Sequence, residues 1–295
     1  MPAIINDENM ISDYRCFFCF NRAFEKLLKQ GKLSPEQASS FTHEMMQFYL
    51  EKQEIYSTPQ LARELHLRLK KQSNQADPYQ AEKKQSNDVI LDQYQKFKEQ
   101  VQSSQNPFNT ALRLAIAGNI IDAAVSETYQ LDETIDHVLN SDFGIDHSTQ
   151  LKLAIQNAQT VLYLGDNNGE IVLDKLFIET MNHRNLIYAV RDQPIINDAT
   201  LSDAHYVGMD QIVPVISNGY DAPSTLLNQC SAEFLKVYDQ VDVIISKGQG
   251  NLEGLLESGN EKIFFLLMVK CDVIAEKLGV RKGDFVVTRY FKPKH

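Results

Sequence analysis

Residues 159–183 read QTVLYLGDNNGEIVLDKLFIETMNH: a run of β-branched and aromatic residues, a turn rich in Asp, Asn and Gly, then a segment with helical spacing. The run is apolar at every position instead of alternating, as in a strand covered on both faces of a parallel sheet. NLIYAV, QIVPVIS, VDVIIS and KIFFLLMV repeat the theme downstream, each followed by turn residues, and DFVVTRY closes the series. Strands alternating with helices predict a doubly wound α/β sheet from about Gln159 onward. There is no internal repeat.

Upstream the periodicity is helical. SPEQASSFTHEMMQFYLEKQ opens with Ser34-Pro35, an N-cap followed by a residue suited to a first helical turn. Its apolar positions Phe41, Met45, Phe48 and Tyr49 recur at spacings of three and four. TPQLARELHLRLKKQ, NDVILDQYQKFKEQVQ and FNTALRLAIAGNIIDAAV continue the pattern, whereas QSNQADPYQAEKKQSN reads by composition as a polar linker. The chain therefore divides into a mainly helical N-terminal domain, residues 1–150, and an α/β domain, residues 151–295.

Composition is that of a globular protein: 43% hydrophobic and 23% charged residues, with a formal net charge of -10. The basic residues are scattered, so no stripe exists to neutralise a nucleic-acid backbone, and an anionic membrane surface would repel the chain. Nucleic acid and membrane are excluded as partners on that ground. An acidic protein binds an anionic substrate where a cation or helix N-termini reverse the local field, which points toward a metal. MPAIINDENMISDY lacks the basic start and apolar stretch of a secretory signal, and no later run matches a membrane span, so the expected location is cytoplasmic. Cys16, Cys19, Cys230 and Cys271 are too few and dispersed for a disulfide framework and are expected to be thiols.

In an open parallel sheet the ligand lies beyond the carboxyl ends of the strands. VLYLG is followed by Asp166, Asn167, Asn168, Gly169 and Glu170, and NLIYAV by Arg191 and Asp192, with Asn197 and Asp198 beginning the next helix. QIVPVI is followed by Ser217, Asn218, Gly219 and Asp221; VDVIIS by Lys247, Gly248, Gln249, Gly250, Asn251 and Glu253; KIFFLLMV by Lys270. Polar and glycine residues belong in loops anyway, but their recurrence at every strand end favours a site. Asp and Asn oxygens without nearby His or Cys suit a hard cation such as Mg²⁺ or Mn²⁺, and a softer divalent ion fits as well. A metal with open positions can hold a phosphate and activate a water.

No GxxxxGK[ST] loop and no G-x-G-x-x-G follow the first strand, and no arginine lies six residues after Cys19 or Cys230, as a thiolate phosphatase loop requires. VLYLGDNNG matches an S-adenosylmethionine loop only weakly, because Asp166 and Asn167 stand where close backbone approach needs small residues. Cys16 and Cys19 in YRCFFCFNRAF, amid phenylalanines and without a second pair, read as a packed helix turn ahead of a zinc or redox site. His43, His66, His137 and His147 lack ligand spacing and read as core or surface residues.

Taken together, RCFFCFNRAF, DPYQAEKKQSN, AGNIID, GDNNGEIVLDKLFIE, VRDQPIINDATLSDA, SNGYDAPSTLLNQCS, ISKGQGNLEGL and FFLLMVKCDVIAEKLGV resemble the family of domain of unknown function 89, described as metal-dependent damage-control phosphatases. The motifs run over nearly the whole chain. The resemblance implies a Rossmann-like α/β/α parallel-sheet domain preceded by an all-helical N-terminal domain. It places DPY inside the family pattern, against the linker reading. It implies a divalent metal, Mn²⁺, Co²⁺, Ni²⁺ or Mg²⁺, held by Asp166, Asn167 and Asp198, and a phosphate contact from Lys270. Asn119, Asp122, Glu170, Ser217, Asn218, Asp221 and Lys247 match motifs lining the pocket. Members with a CxxC form a distinct group, which bears on Cys16 and Cys19. Gln193 departs from the family pattern, where a small residue stands.

The expected function is hydrolysis of small phosphorylated metabolites, sugar phosphates or damaged phosphorylated cofactors, with Asp166, Asp198, Lys270 and Glu170 catalytic. A water oriented at the metal or by a nearby carboxylate would attack phosphorus in line, and Lys270 with the backbone of Gly248, Gly250 and Asn251 would stabilise the equatorial oxygens. The alternatives are an S-adenosylmethionine-dependent carboxyl methyltransferase and a noncatalytic binder of phosphorylated metabolites.

Overall fold

The structure, a computed structural model, describes residues 13–29, 31, 33–124 and 128–289, without the side chains of residues 24, 27, 119–124, 128–132 and 134. The helical part opens with α1 (Tyr14–Lys29), α2 (Pro35–Lys52) and α3 (Thr58–Ser73). Ser34 caps α2 as its sequence suggests: the hydroxyl accepts from Gln37 N, and the Gln37 side chain accepts from Ser34 N. Phe41, Met45 and Phe48 of α2 meet Leu61, Leu65 and Leu69 of α3 and Phe20 of α1 in a small separate core.

Then come α4 (Gln80–Asp92), α5 (Tyr94–Ser103), α6 (Pro107–Ala124), α7 (Thr128–Asn140), β1 (Phe143–Asp146) and α8 (Ser148–Asn157). The α/β part follows as β2 (Val161–Leu164), α9 (Glu170–Met181), β3 (Leu186–Val190), α10 (Leu201–Tyr206) and β4 (Val215–Ser217). It ends with α11 (Ala232–Gln240), β5 (Val243–Lys247), α12 (Gly248–Leu255), β6 (Ile263–Met268), α13 (Asp272–Leu278) and β7 (Phe285–Arg289). No helix among the described residues is long and apolar enough to cross a membrane.

The sheet runs β1-β7-β6-β5-β2-β3-β4. Strands β4, β3, β2, β5 and β6 are mutually parallel, while β7 is antiparallel to β6 and parallel to β1. Two-residue alternation sends successive side chains to opposite faces. Val161, Tyr163, Ile245, Phe264, Leu266 and Val287 face a core shared with α4 to α9, and Leu162, Leu164, Ile244, Phe265, Leu267 and Val286 face α11, α12 and α13. Both faces are covered, so the strands read as unbroken apolar runs. The same cover hides strand direction, which is why DFVVTRY gave no sign of running backwards. Packing groups α4 to α8 with the sheet and leaves α1 to α3 to their own core.

The polar-linker reading of QSNQADPYQAEKKQSN is overturned: the segment ends α3, turns, and forms the first half of α4. Most of its polar side chains face solvent, but three turn inward on one face of α4: Lys83, Ser86 and Asn87. Lys83 and Asn87 are buried, with Lys83 Nζ paired to Asp77 (3.0 Å) and Asp203 (2.9 Å).

The chain winds from β2 to β3 and β4 in one direction and from β5 to β6 in the other. The cleft of the parallel strands therefore opens between the ends of β2 and β5, where order reverses. α6 and α9 lie flush behind it, because a Cβ on Gly118 would meet Glu170 Cα at 2.7 Å. Gly118→Ala should force the two helices apart, at about 1–3 kcal/mol. A lower Tm by calorimetry is the expected outcome, and an unchanged Tm would show that the contact is slack.

Candidate active site at the sheet switch point

The loop after β2 is tied to the loop after β3. Asn167 and Asp198 form an isolated bridge, Ala199 N donates to Asp166 O (2.8 Å), and Asn168 N donates to Asn197 O (2.8 Å). From the helical half, Asn87 Nδ2 donates to Asn168 Oδ1 (2.7 Å), and Gly169 N donates to Asn87 Oδ1 (2.6 Å). Asn197 and Asp198 sit in a turn ahead of α10 instead of beginning it. The preceding Ile196 has φ 45, a left-handed conformation unfavourable for a β-branched side chain. This strained turn presents Asp198 opposite Asn167.

Asp166, Asn167 and Asp198 are thus brought together, all at most 7% exposed. Burial raises the Asp166 carboxyl pKa well above its usual value, as do nearby Asp198 and Glu170, against the pull of Arg191 and Lys270. Burial also raises Asp198, despite Arg191 Nε donating to its Oδ2 at 2.7 Å. Crowded buried carboxylates are what a cation relieves. Among the described residues no three His, Cys, Asp or Glu side chains converge on a metal position; the donors here are two carboxylates and a carboxamide. Hard oxygens under mutual repulsion fit a divalent ion.

The other wall comes from β5 and α12. Gly248, with φ +78, begins α12, and a Cβ there would meet Asp166 Oδ2 at 1.9 Å. Only glycine lets the backbone of a helix N-terminus come this close to the carboxylate. A Cβ on Gly250 would likewise meet Pro223 O at 2.2 Å, which seats the first turn against the loop after β4. Lys270 is exposed at the end of β6, close enough to act electrostatically on both Asp166 and Asp198.

Other expected site residues sit elsewhere or are committed. Lys247 is fully buried, and its Nζ donates to Glu170 Oε1 (2.5 Å), Asp174 Oδ1 (2.6 Å) and Ala115 O (2.8 Å). Those acceptors use all three N–H groups, so the phosphate contact expected of it has no donor left. Glu170, expected to be catalytic, is fully buried in that pair and also accepts from Asn167 Nδ2 (3.3 Å), which makes it an anchor for the loop. The Asn251 side chain bridges Thr225, Gly165 O and Lys247 O. Ser217 Oγ donates to Asp192 (2.8 Å), and Asp221 accepts from Arg63 Nε of α3 (2.6 Å). Asn218 is 1% exposed beside the end of β3. The side chains of Asn119 and Asp122 lie outside the described residues.

Cys16 and Cys19 lie on α1, the first half-buried and the second exposed, both as free thiols. Cys16 and Cys271 line a cavity of about 180 Å³ with Glu253. Residues that the motif reading passed over are Asp174, Asn87 and Arg63; Arg191 was noted at the end of β3 but given no role. Asp174 had a signal: it stands four residues after Glu170, on the same face of the helix and flanked by the apolar run Ile171–Leu173.

A family model described as the damage-control phosphatase ARMT1-like domain matches residues 12–286, and the chain belongs to that family. A damage-control phosphatase of Archaeoglobus fulgidus is 32% identical over 231 residues, 77% of this chain and 80% of the relative. One of Pyrococcus horikoshii is 38% identical over 186 residues, 62% of this chain and 65% of the relative. A crystal structure of a DUF89 family protein from Pyrococcus horikoshii superposes with a TM-score of 0.87 at 29% identity, covering 96% of this chain and 100% of that one.

Lys247→Met should leave the buried Glu170 and Asp174 carboxylates without their counter-charge and cost about 3–5 kcal/mol in urea unfolding. A variant of parental stability with selectively weakened phosphate binding would restore Lys247 to the pocket. Glu253, which accepts from Gln249 Nε2 (2.8 Å), has its pKa raised by burial to about 7. A carboxyl raised in the fold favours the folded state while protonated, so this contribution is lost as pH rises from about 4.5 to about 7. Glu253→Gln should therefore gain on the parent through that window, by about 1–3 kcal/mol at pH 8. Parallel stability curves across the window would show that Glu253 titrates normally.

Proposed function

We propose that the protein is a divalent-metal-dependent phosphatase of small phosphorylated metabolites, sugar phosphates or damaged phosphorylated cofactors and intermediates. The observation that carries this reading is the convergence of Asp166, Asn167 and Asp198 at the sheet switch point, against the N-terminus of α12. Relatives named damage-control phosphatases support it. Asp166, Asn167 and Asp198 would hold the metal, which supplies positive charge to a phosphate oxygen and acidity to a nearby water.

The remaining work falls to the chain. Lys270 and the first N–H groups of α12, which have no acceptor within the helix, face the charge that develops on the phosphoryl oxygens. Glu170 is withdrawn into its pair with Lys247, so Asp166 or Asp198 is left to orient the attacking water. The walls that select a leaving group come partly from α3, where Arg63 stacks over the Tyr220 ring at 4.6 Å and Lys70 donates to the Pro194 carbonyl.

The test is phosphate release from a panel of sugar phosphates and p-nitrophenyl phosphate, with chelated enzyme resupplied separately with Mg²⁺, Mn²⁺, Co²⁺ and Ni²⁺. Turnover should require metal and fall by at least about 10³-fold in Asp198→Asn, an isosteric change that keeps a partner for Arg191. Silence of the folded parent enzyme with every metal would sink the reading.

A further inference from the structure

Arg191 is the largest fully buried side chain among the described residues, 2% exposed at the end of β3. Its Nε donates to Asp198 Oδ2 (2.7 Å) and its Nη1 to Thr225 Oγ1 (3.2 Å). Nη2 is buried from bulk water and has no hydrogen-bond acceptor; Asp166 Oδ1 approaches it only to 3.5 Å. An arginine N–H left in this state is costly unless an acceptor enters the site. A second donor in the same condition stands just past the end of the neighbouring strand, β4. Asn218 is 1% exposed and its Nδ2 also lacks an acceptor, while its backbone N donates to Val190 O (2.8 Å), one residue from Arg191.

An acceptor that satisfies Arg191 must reach the neighbourhood of two carboxylates, Asp166 and Asp198, in a chain of net charge -10. For a phosphate that approach is repulsive unless fixed positive charge lies beside it. Arg191 supplies one such charge from inside the protein, in the fork geometry that matches phosphate oxygens. We propose that Arg191 is a phosphate-contacting residue of this site, donating through Nη2 to the substrate's phosphoryl group with Asn218 Nδ2 as a second donor. This assignment rests on the phosphatase reading. It gives Arg191 two tasks: through Nε it orients Asp198, and through Nη2 it binds the anion.

The two tasks predict opposite changes on neutralisation. Arg191→Gln removes a positive charge beside the carboxylates, so Mn²⁺ should bind as tightly as in the parent or several-fold more tightly. Orthophosphate, tested with Mn²⁺ present, should bind at least about 10-fold more weakly. Calorimetry gives both constants without turnover. Arg191→Lys keeps charge and Asp198 contact but not the fork, and serves if the glutamine variant fails to fold. It should retain Mn²⁺ affinity and lose orthophosphate affinity several-fold.

Parallel losses of Mn²⁺ and orthophosphate binding in the lysine variant would reduce Arg191 to a structural clamp. Orthophosphate affinity within threefold of the parent in either folded variant would overturn the contact, while parent turnover kept the phosphatase reading alive. A parent that binds Mn²⁺ but neither binds orthophosphate nor turns over any substrate would end both.

Discussion

A lysine with no exposed surface, Lys247, ties three elements to one another before any site exists. It leaves β5, meets Glu170 and Asp174 on α9, and reaches the Ala115 carbonyl of α6. Tyr163 and Tyr188, stacked with centroids 5.3 Å apart, add hydroxyl donors to Asp174 from β2 and β3. Burial alone would depress the Lys247 pKa, but the two carboxylates outweigh it and hold the lysine charged. A buried cluster of this kind is a weak source of net stability and a strong source of specificity, because any shift of α9 strands a charge. Glu170 then carries the restraint outward to Asn167 through its second oxygen.

The same chain of contacts sets the electrostatics of the cleft. Glu170 is pinned by Lys247 and Asp198 by Arg191, whereas Asp166 has a looser 3.5 Å approach from Arg191, a bond from the Asn167 amide and the more distant charge of Lys270. The least compensated carboxylate is thus the one under Gly248 at the switch point. Negative charge is concentrated where the fold brings a helix N-terminus, an exposed lysine and a buried arginine within reach. Such a recess suits a cation first and an anion second, the order that a metal-assisted phosphoryl reaction requires.

How much of this was legible in the chain depends on what each residue reports locally. The strands β2, β3, β5 and β6 announced themselves because both faces are buried. FGID did not: β1 alternates half-buried and exposed positions and exists by pairing with β7, about 140 residues away. QIVPVIS yielded only Val215–Ser217 as strand, since Pro214 has no N–H to give a ladder. Asp166, Asn167 and Asp198 were readable as oxygen donors at strand ends, and the structure brings them together. Lys247 and Glu170 stood at equally suggestive positions, but whether a polar side chain at a strand end faces the cleft or the core depends on a partner, Asp174, that only packing supplies.

The helical half follows the same logic. Lys83 and Asn87 looked like linker polarity because composition cannot separate a solvated amide from one that is buried and paired. Asn87 satisfies both Asn168 and Gly169 from α4, so the loop carrying Asp166 and Asn167 is completed by a residue some eighty positions earlier. Arg63 does the same for the loop after β4 by pairing with Asp221 and covering Tyr220. The α/β sheet supplies the charges of the cleft, and the helices fix the loops that hold them.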